Sequence, residues 1–226
     1  MEKTNERIKT VLDCQDAFNK GERRSGAVYI LQPDAGWRLI RAVCQFDHES
    51  GWTVIQRRLD GSVDFYRGWN EYVDGFGEIN GEYWMGLEAI YYLTNTNHRL
   101  SIYLESHDGE VRTANYSTFY INDSSTDYAN HASGYSGDAG DSWTDGQDHN
   151  NMKFTTFDRD NDLHDSNCAE MFHGAWWYRS CHSSNLNGIW YEGGTTSSYA
   201  TGVVWHSWKE HYYSMKSVYM RVSHQL

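Results

Sequence analysis

The chain has 226 residues, with 19 Lys and Arg against 31 Asp and Glu and a formal net charge of −12. Such a field repels phosphate backbones and anionic lipid surfaces, so nucleic acid is not an expected partner, and no apolar run approaches the roughly 20 residues that span a bilayer, so membrane insertion is not expected either. The length suits one β-rich domain able to bury a sizeable core; aromatic residues form 15% of it, with 10 Trp and 17 Tyr, yet mean hydropathy is −0.76, so the apolar mass lies in large amphipathic rings that suit polar ligands.

Residues 1–12 read as the end of a stalk or linker, polar and helix-compatible, with Ile8, Val11 and Leu12 as a sparse apolar face and no apolar h-region. Residues 14–18 continue as a short helix that ends at Gly21. Residues 27–31, 42–46 and 53–57 alternate like strands, separated by turns at Pro33-Asp34-Ala35-Gly36 and Glu49-Ser50-Gly51. Asp60-Gly61 is a hairpin signal, and the aromatic, Gly-rich stretch 65–86 holds helical pieces but no long helix. Leu87, Ile90, Tyr91 and Leu93 fall at helical spacing and predict a short helix over 87–93. Residues 99–106 and 110–116 form a hairpin around His107-Asp108-Gly109, and 119–122 adds another strand. The Ser, Gly, Asp and Asn-rich stretch 123–151 reads as a long loop held by a neighbouring metal site. Residues 214–222 return to the main sheet as a strand, and no repeat period is present.

Chemistry is concentrated in residues 154–188. Asp158, Asp160 and Asp162 alternate, with Asn161 between them and Asp165 just beyond. Carboxylates so close repel one another unless a cation sits among them, and calcium accepts carboxylates and backbone carbonyls in irregular geometry where magnesium demands an octahedron. The competing reading is a solvated loop whose side chains bond their own backbone. An EF-hand fails in both registers: its sixth and twelfth positions hold Leu163 and Ala169 counted from Asp158, and Asp165 and Met171 counted from Asp160, where Gly and an acid are required. Four cysteines and two glycosylation sequons, Asn115-Tyr-Ser117 and Asn122-Asp-Ser124, point to an oxidising compartment; spacing alone leaves connectivity, and reduced cytosolic thiols, open. HExxH, G-x-S-x-G and P-loop motifs are absent, and the Gly75-Phe-Gly77 start of a dinucleotide fingerprint fails at Asn80, so the chain does not read as an enzyme.

The run DRDNDLHDSNCAEMFHGAWWYRSCHSSNLNG closely resembles the calcium and ligand-binding region of fibrinogen-related domains, and its CAEMFHGAWWYRSCHSSNLNG portion is most similar to the ficolins. SGAVYILQPD, GWTVIQRRLDGSVDFYRGWNEYVDGFGEINGEYWMGL, AGDSW and SYATGVVWHSWKEHYYSMK extend the resemblance from Asp13 to the carboxyl end. It implies an α+β fold, with a small N-terminal subdomain (13–57), a central twisted antiparallel sheet with short helices (58–150 and 213–226) and a loop-rich calcium and ligand-binding subdomain (151–212). It also implies Cys14–Cys44 and Cys168–Cys181 disulfides, a cis Ser180–Cys181 peptide and a secreted, extracellular protein.

The resemblance assigns calcium to the carboxylates of Asp160 and Asp162 and the carbonyls of His164 and Ser166, leaving Asp158 a structural part. In ficolin-like and tachylectin-like members the neighbouring pocket accepts an acetyl group; the matching residues are Cys168, Phe172, Cys181, His182, Tyr199 and Ala200, with His211 where those relatives tend to have an aromatic residue. Taken without the resemblance, Phe172 and Tyr199 are core aromatics and His182 a structural histidine. Cys181-His182 could suggest a thiol beside a base, but a disulfide-bonded cysteine has no thiolate to offer. Two functions follow. One is a calcium-dependent, non-enzymatic lectin of innate immunity that recognises acetylated carbohydrates such as GlcNAc or GalNAc on microbial or host glycans, as a homo-oligomer, trimer or higher, formed through this domain or an upstream stalk. The alternative is a protein-binding module, as in fibrinogen, tenascins or angiopoietins. Fibrinogen's peptide pocket uses acidic residues where this chain has Phe172 and Tyr199, so the lectin is the expected function.

Overall fold

The computed structural model describes residues 11–32 and 39–225. The turn expected at 33–36 and most of the expected linker, 1–10, lie outside the described residues. At Val11 the linker expectation is corrected. Its amide donates to the Ile30 carbonyl (3.3 Å), its carbonyl accepts from Gln32 (2.8 Å), and its side chain is buried, so the chain has already joined the domain there. Helix α1 (Cys14–Asn19) follows, capped by Asp13, whose Oδ1 accepts the Asp16 amide at 2.7 Å. It lies so close to the sheet that a Cβ on Gly51 would stand 1.9 Å from the Cys14 carbonyl oxygen. The glycine at 51 is therefore a packing requirement.

Strands β1 (Val28–Leu31), β2 (Ile40–Phe46) and β3 (Gly51–Arg58) come next, then α2 (Trp69–Asp74), β4 (Phe76–Gly77), β5 (Tyr83–Trp84), α3 (Leu87–Thr94), β6 (His98–Glu105), β7 (Val111–Ile121) and β8 (Asn130–Gly137). After a long irregular region containing α4 (Cys168–Phe172), β9 (Ser184–Asn185), β10 (Val204–Trp205) and α5 (His206–Lys209), the chain ends in β11 (Ser217–His224). The main sheet runs β1-β2-β3-β11-β6-β7-β8, with β5 added beside β3 and β4 beside β5, and every strand pairing in it is antiparallel. The carboxy-terminal strand thus lies between β3 and β6.

Three expectations change. Residues 119–122 are not a separate strand: β7 runs through Ile121 without a break. The stretch 123–151 is not structureless, because β8 pairs with β7 from Ala114↔Gly137 to Ile121↔Asn130. Its sequence NHASGYSG has little intrinsic β preference, and as an edge strand it depends on the backbone ladder, not on its side chains. Asp60-Gly61 does turn, with Gly61 at φ +72°, but the strand beside β3 is β5, more than twenty residues on. A carboxylate decides this. Glu82 accepts the amides of Leu59 (2.7 Å), Asp60 (3.3 Å) and Val63 (3.0 Å), folding the loop onto itself.

Glu82 is also the partner of Arg58, at 3.5 Å, and both side chains are almost fully buried. Arg58 lies over the Phe65 ring and donates through one terminal nitrogen to the carbonyls of Leu186 (3.0 Å) and Gly188 (2.7 Å), joining the sheet to the irregular region. Around Trp177, the rings of Trp84, Trp143, Phe154 and Trp176 pack with centroids 5.1 to 6.2 Å away, forming the core beneath that region. Glu82→Ala leaves a buried guanidinium without its counter-charge and should cost about 3–5 kcal/mol. A denaturation midpoint unchanged from the parent would contradict this.

Candidate functional site

The irregular region is held by side chains bonding backbone. Asn167 caps α4 through the amides of Ala169 (2.8 Å) and Glu170 (3.3 Å), while its Nδ2 donates to the carbonyls of Thr156 (3.0 Å) and Phe157 (3.2 Å). The β9–β10 pair, Val204↔Asn185 and Trp205↔Ser184, fixes residues 184–185 against 204–205. Both disulfides, Cys14–Cys44 and Cys168–Cys181, are formed, with Cα separations of 5.5 and 5.6 Å. No cysteine among the described residues is free, so Cys181 offers no nucleophile. The Ser180–Cys181 peptide is cis, as the resemblance implies.

In the acidic loop the three alternating aspartates have different tasks. Asp158 accepts the Trp69 amide at the start of α2 (2.9 Å) and the Thr156 hydroxyl (2.7 Å), a structural role that docks the loop on the neighbouring helix. Asp162 turns inward, accepting the amides of His164 (2.8 Å) and Cys168 (2.9 Å). Burial first, and then the neighbouring Asp160 charge, raise its carboxyl above the ordinary value against the pull of those two amides. Among the described residues no Lys or Arg pairs with Asp160 or Asp162; Lys153 and Arg159, the nearest in sequence, both pair with Asp127. No three His, Cys, Asp or Glu side chains among the described residues converge as a metal site, so a cation here would depend on backbone carbonyls as well as on these two carboxylates. Two adjacent, uncompensated carboxylates are hard oxygen donors of the kind calcium takes, and the donor set fits that ion. The Ser166 carbonyl lies 3.1 Å from His164 Nδ1.

Beside this loop is a pocket of about 260 Å³, walled by Phe172, Cys181, His182, Tyr199, Ala200 and His211. Cys168 does not line it, a correction to its expected place as a ligand contact; it is fully buried, bonded to Cys181 through its sulfur and to the Asp162 carboxylate through its amide. Gln147, His164, Met171 and Ser180 complete the wall and were not expected there. His182 packs edge-on between Phe172 (4.8 Å) and His211 (5.6 Å). Its Nε2 lies 3.0 Å from the Ala200 carbonyl and so carries the proton, which leaves Nδ1 as a lone-pair acceptor with no protein partner. Burial, followed by the charges of His149 and His211, keeps its pKa well below the ordinary 6.5. His211 stacks on His206 at 4.3 Å and tilts against Tyr199 at 5.1 Å, so an imidazole supplies the wall where an aromatic residue was anticipated. Ala200 adopts φ +61°, a conformation that costs a non-glycine residue; its amide bonds the His211 carbonyl at 3.0 Å, and its own carbonyl takes the His182 proton. Tyr199 is 52% exposed and stands at the mouth.

His149 supports this wall from behind and nothing in the sequence marks it. It is fully buried, its Nδ1 facing the Trp177 carbonyl at 2.8 Å while Nε2 accepts the amides of Ser183 (3.2 Å) and Ser184 (3.1 Å). A second ring proton would face two N–H groups.

An antiparallel sheet with an inserted last strand, and a loop-rich region carrying a disulfide-braced pocket beside an acidic loop, define a fibrinogen-like domain. The protein belongs to the family of the C-terminal globular domain of fibrinogen beta and gamma chains, whose pattern matches residues 10–225. It is 40% identical to bovine fibrinogen-like protein 1 over 93% of its own length and 71% of that protein. It is 42% identical to Xenopus laevis fibrinogen C domain-containing protein 1-A over 94% of its own length, but spans only 47% of that relative. Among solved structures, the fibrinogen-like globe domain of human ANGPTL2 superposes with a TM-score of 0.90 at 45% identity, covering 94% of this protein and 98% of that one. A lamprey fibrin D-dimer complexed with the peptide ligand Gly-His-Arg-Pro-amide does so at 0.90 and 33% identity, covering 99% and 77%.

The pKa of His149 is lowered by burial from 6.5 to about 4. Above pH 6.5 the ring is neutral in both states. Below it the unfolded chain binds a proton that the folded chain refuses, so stability falls as pH falls to about 4 and then levels, a loss of about 3 kcal/mol from this ring. Denaturation midpoints of parent and His149→Gln between pH 7 and 4 check this: the parent should lose stability more steeply, and parallel profiles would contradict it.

Proposed function

We propose that this domain is a non-enzymatic, extracellular recognition module whose ligand enters the pocket formed by Phe172, Cys181, His182, Tyr199, Ala200 and His211. Its two formed disulfides suit an oxidising compartment. No helix among the described residues is long and apolar enough to cross a membrane. The related proteins favour the protein-binding reading over the lectin one, since a related fibrin structure carries a peptide ligand. The pocket qualifies what part of a polypeptide would enter. Its lining includes no Asp, Glu, Lys or Arg, so a cationic amino terminus would lose its hydration without gaining a counter-charge. A small neutral group with an apolar end and a carbonyl fits better, and this is the observation that carries the proposal.

The same neutrality keeps a second reading in place, an acetamido group on a glycan. Its methyl would be buried against Phe172, Tyr199 and Ala200 for roughly 1 kcal/mol, and the Gln147 and Ser180 side chains in the same wall would be the polar partners for its carbonyl and N–H. Binding by one domain would be weak, on the order of millimolar, with useful affinity coming from a homo-oligomer that engages one surface at several points. Calcium belongs to the proposal: Asp160, Asp162 and the carbonyls of His164 and Ser166 would hold it, and its charge would cancel the carboxylate repulsion. The loop it would steady also carries His164 into the pocket wall.

Two experiments check this. On the immobilised domain, N-acetylated Gly-His-Arg-Pro-amide and GlcNAc should compete for the site, while the unacetylated peptide and glucosamine should be at least tenfold weaker; equal competition by the free amines would overturn the neutral pocket. With calcium at a hundredfold excess over its Kd the fold should gain roughly 3 kcal/mol, a gain that Asp160→Ala or Asp162→Ala should abolish. A melting curve of the parent that EDTA does not shift would remove calcium from the proposal.

A further inference from the structure

A second concavity, about 520 Å³, lies between the turn that follows α3 and the end of β7, and it shares no lining residue with the pocket above. Its size falls within the roughly 300–1,000 Å³ that small-molecule sites span. The lining is rich in amide and hydroxyl side chains, with Tyr91, His98 and Tyr120 as its rings. Asn122 lies on its edge, and Asn122 is the acceptor residue of the Asn122-Asp123-Ser124 sequon.

The fold presents the two sequons differently. Asn122 is exposed and follows β7 directly, in a turn closed by its own amide on the Ala129 carbonyl at 2.8 Å. Asn115 is half-buried in the middle of β7, paired with Ser101 on one side and Ser136 on the other. Two residues before Asn122 stands Tyr120, and along a strand positions i and i+2 share a face. Tyr120 is 36% exposed, and its ring stacks on His131 at 5.0 Å, which holds it in place at the hollow.

We propose that Asn122 carries an N-linked glycan whose first sugars lie in this hollow, covering Tyr120. In the transfer, the Asn122 amide nitrogen bonds to the anomeric carbon of a lipid-linked oligosaccharide diphosphate, the lipid diphosphate leaves with the electron pair of the broken C–O bond, and one N–H proton is lost. The proximal N-acetylglucosamine then presents its apolar C–H face to Tyr120, whose ring face is electron-rich. Its acetamido and hydroxyl groups reach the side chains of Asn95, Thr96, Asn97 and Thr118, which line the same hollow. Because the sugar is tethered, its effective concentration at the hollow is high and a few weak contacts suffice to seat it. The occupant is the protein's own glycan, and the hollow is a modification site that stabilises the β7 end of the sheet.

The protein is produced with a secretion leader in a eukaryotic cell and weighed intact. The parent should carry a glycan mass that Asn122→Gln removes and Asn115→Gln leaves; absence of that mass, or its loss with Asn115→Gln alone, overturns the proposal. Melting then tests the seating. Tyr120→Thr should lower the melting temperature of the glycosylated protein by about 2–4 °C more than that of enzymatically deglycosylated protein. An equal effect of Tyr120→Thr on both forms means that the glycan projects into solvent, and it overturns the seating in the hollow.

Discussion

Arg58 is a guanidinium with almost no contact with water, and the groups that satisfy it join the main sheet to the irregular region. Glu82 supplies the charge and Phe65 the ring beneath it, while the carbonyls of Leu186 and Gly188 take its terminal N–H groups. An unpaired charge at this depth would cost several kcal/mol, so the end of β3, the 59–65 loop and the strand-poor region beyond β9 must come together at once. Gln56, two residues earlier on the same strand, reinforces the junction by donating to Leu186 O (3.0 Å) and Asn187 Oδ1 (3.1 Å).

This junction explains how a region with so little regular structure can hold a shaped pocket. Few of its backbone groups between 138 and 216 are in ladders, and buried polar backbone must find partners somewhere. They find them in side chains: Asn167 on the 156–157 carbonyls, His149 on the 183–184 amides, Asn187 on Ala175 O and Asn185 on Phe172 O. These residues shape the pocket without touching a ligand. The fully buried rings around Trp177 form the core of this region, whereas Tyr199, packed against Phe172, His211 and Tyr212, is half exposed at the pocket mouth.

Electrostatics divides the surface by task. The net charge of −12 belongs to the molecule as a whole, whereas the pocket lining has no Asp, Glu, Lys or Arg, and burial lowers the pKa of its His182 and His211 rings. The acidic loop beside it gathers Asp160 and Asp162 with no basic partner among the described residues, in contrast to Asp127, which two basic side chains share. Under the proposed function, a site that pairs such a pocket with an acidic loop would discriminate by shape and desolvation more than by attraction.

Local pattern was enough to read β1 to β3, α1, α3 and the β6–β7 hairpin, because each is specified by alternation, helical spacing or a cap within its own few residues. The long, specific match over 158–188 named Asp160, Asp162, Phe172, Cys181 and His182, and six of the seven expected pocket residues do line one cavity. What sequence could not decide depended on partners far along the polypeptide. Edge strand β8 exists because β7 offers it a ladder, and the Asp60-Gly61 turn makes no hairpin because its loop amides are bonded to the Glu82 carboxylate instead of to a neighbouring strand. Cys168 is a brace and not a contact because its sulfur faces Cys181 under the wall. His149 was invisible because its role is set by two amides 34 and 35 residues away. Side-chain period is a property of the polypeptide itself, but the satisfaction of a buried polar group is a property of the folded surroundings, and only the tertiary structure supplies those.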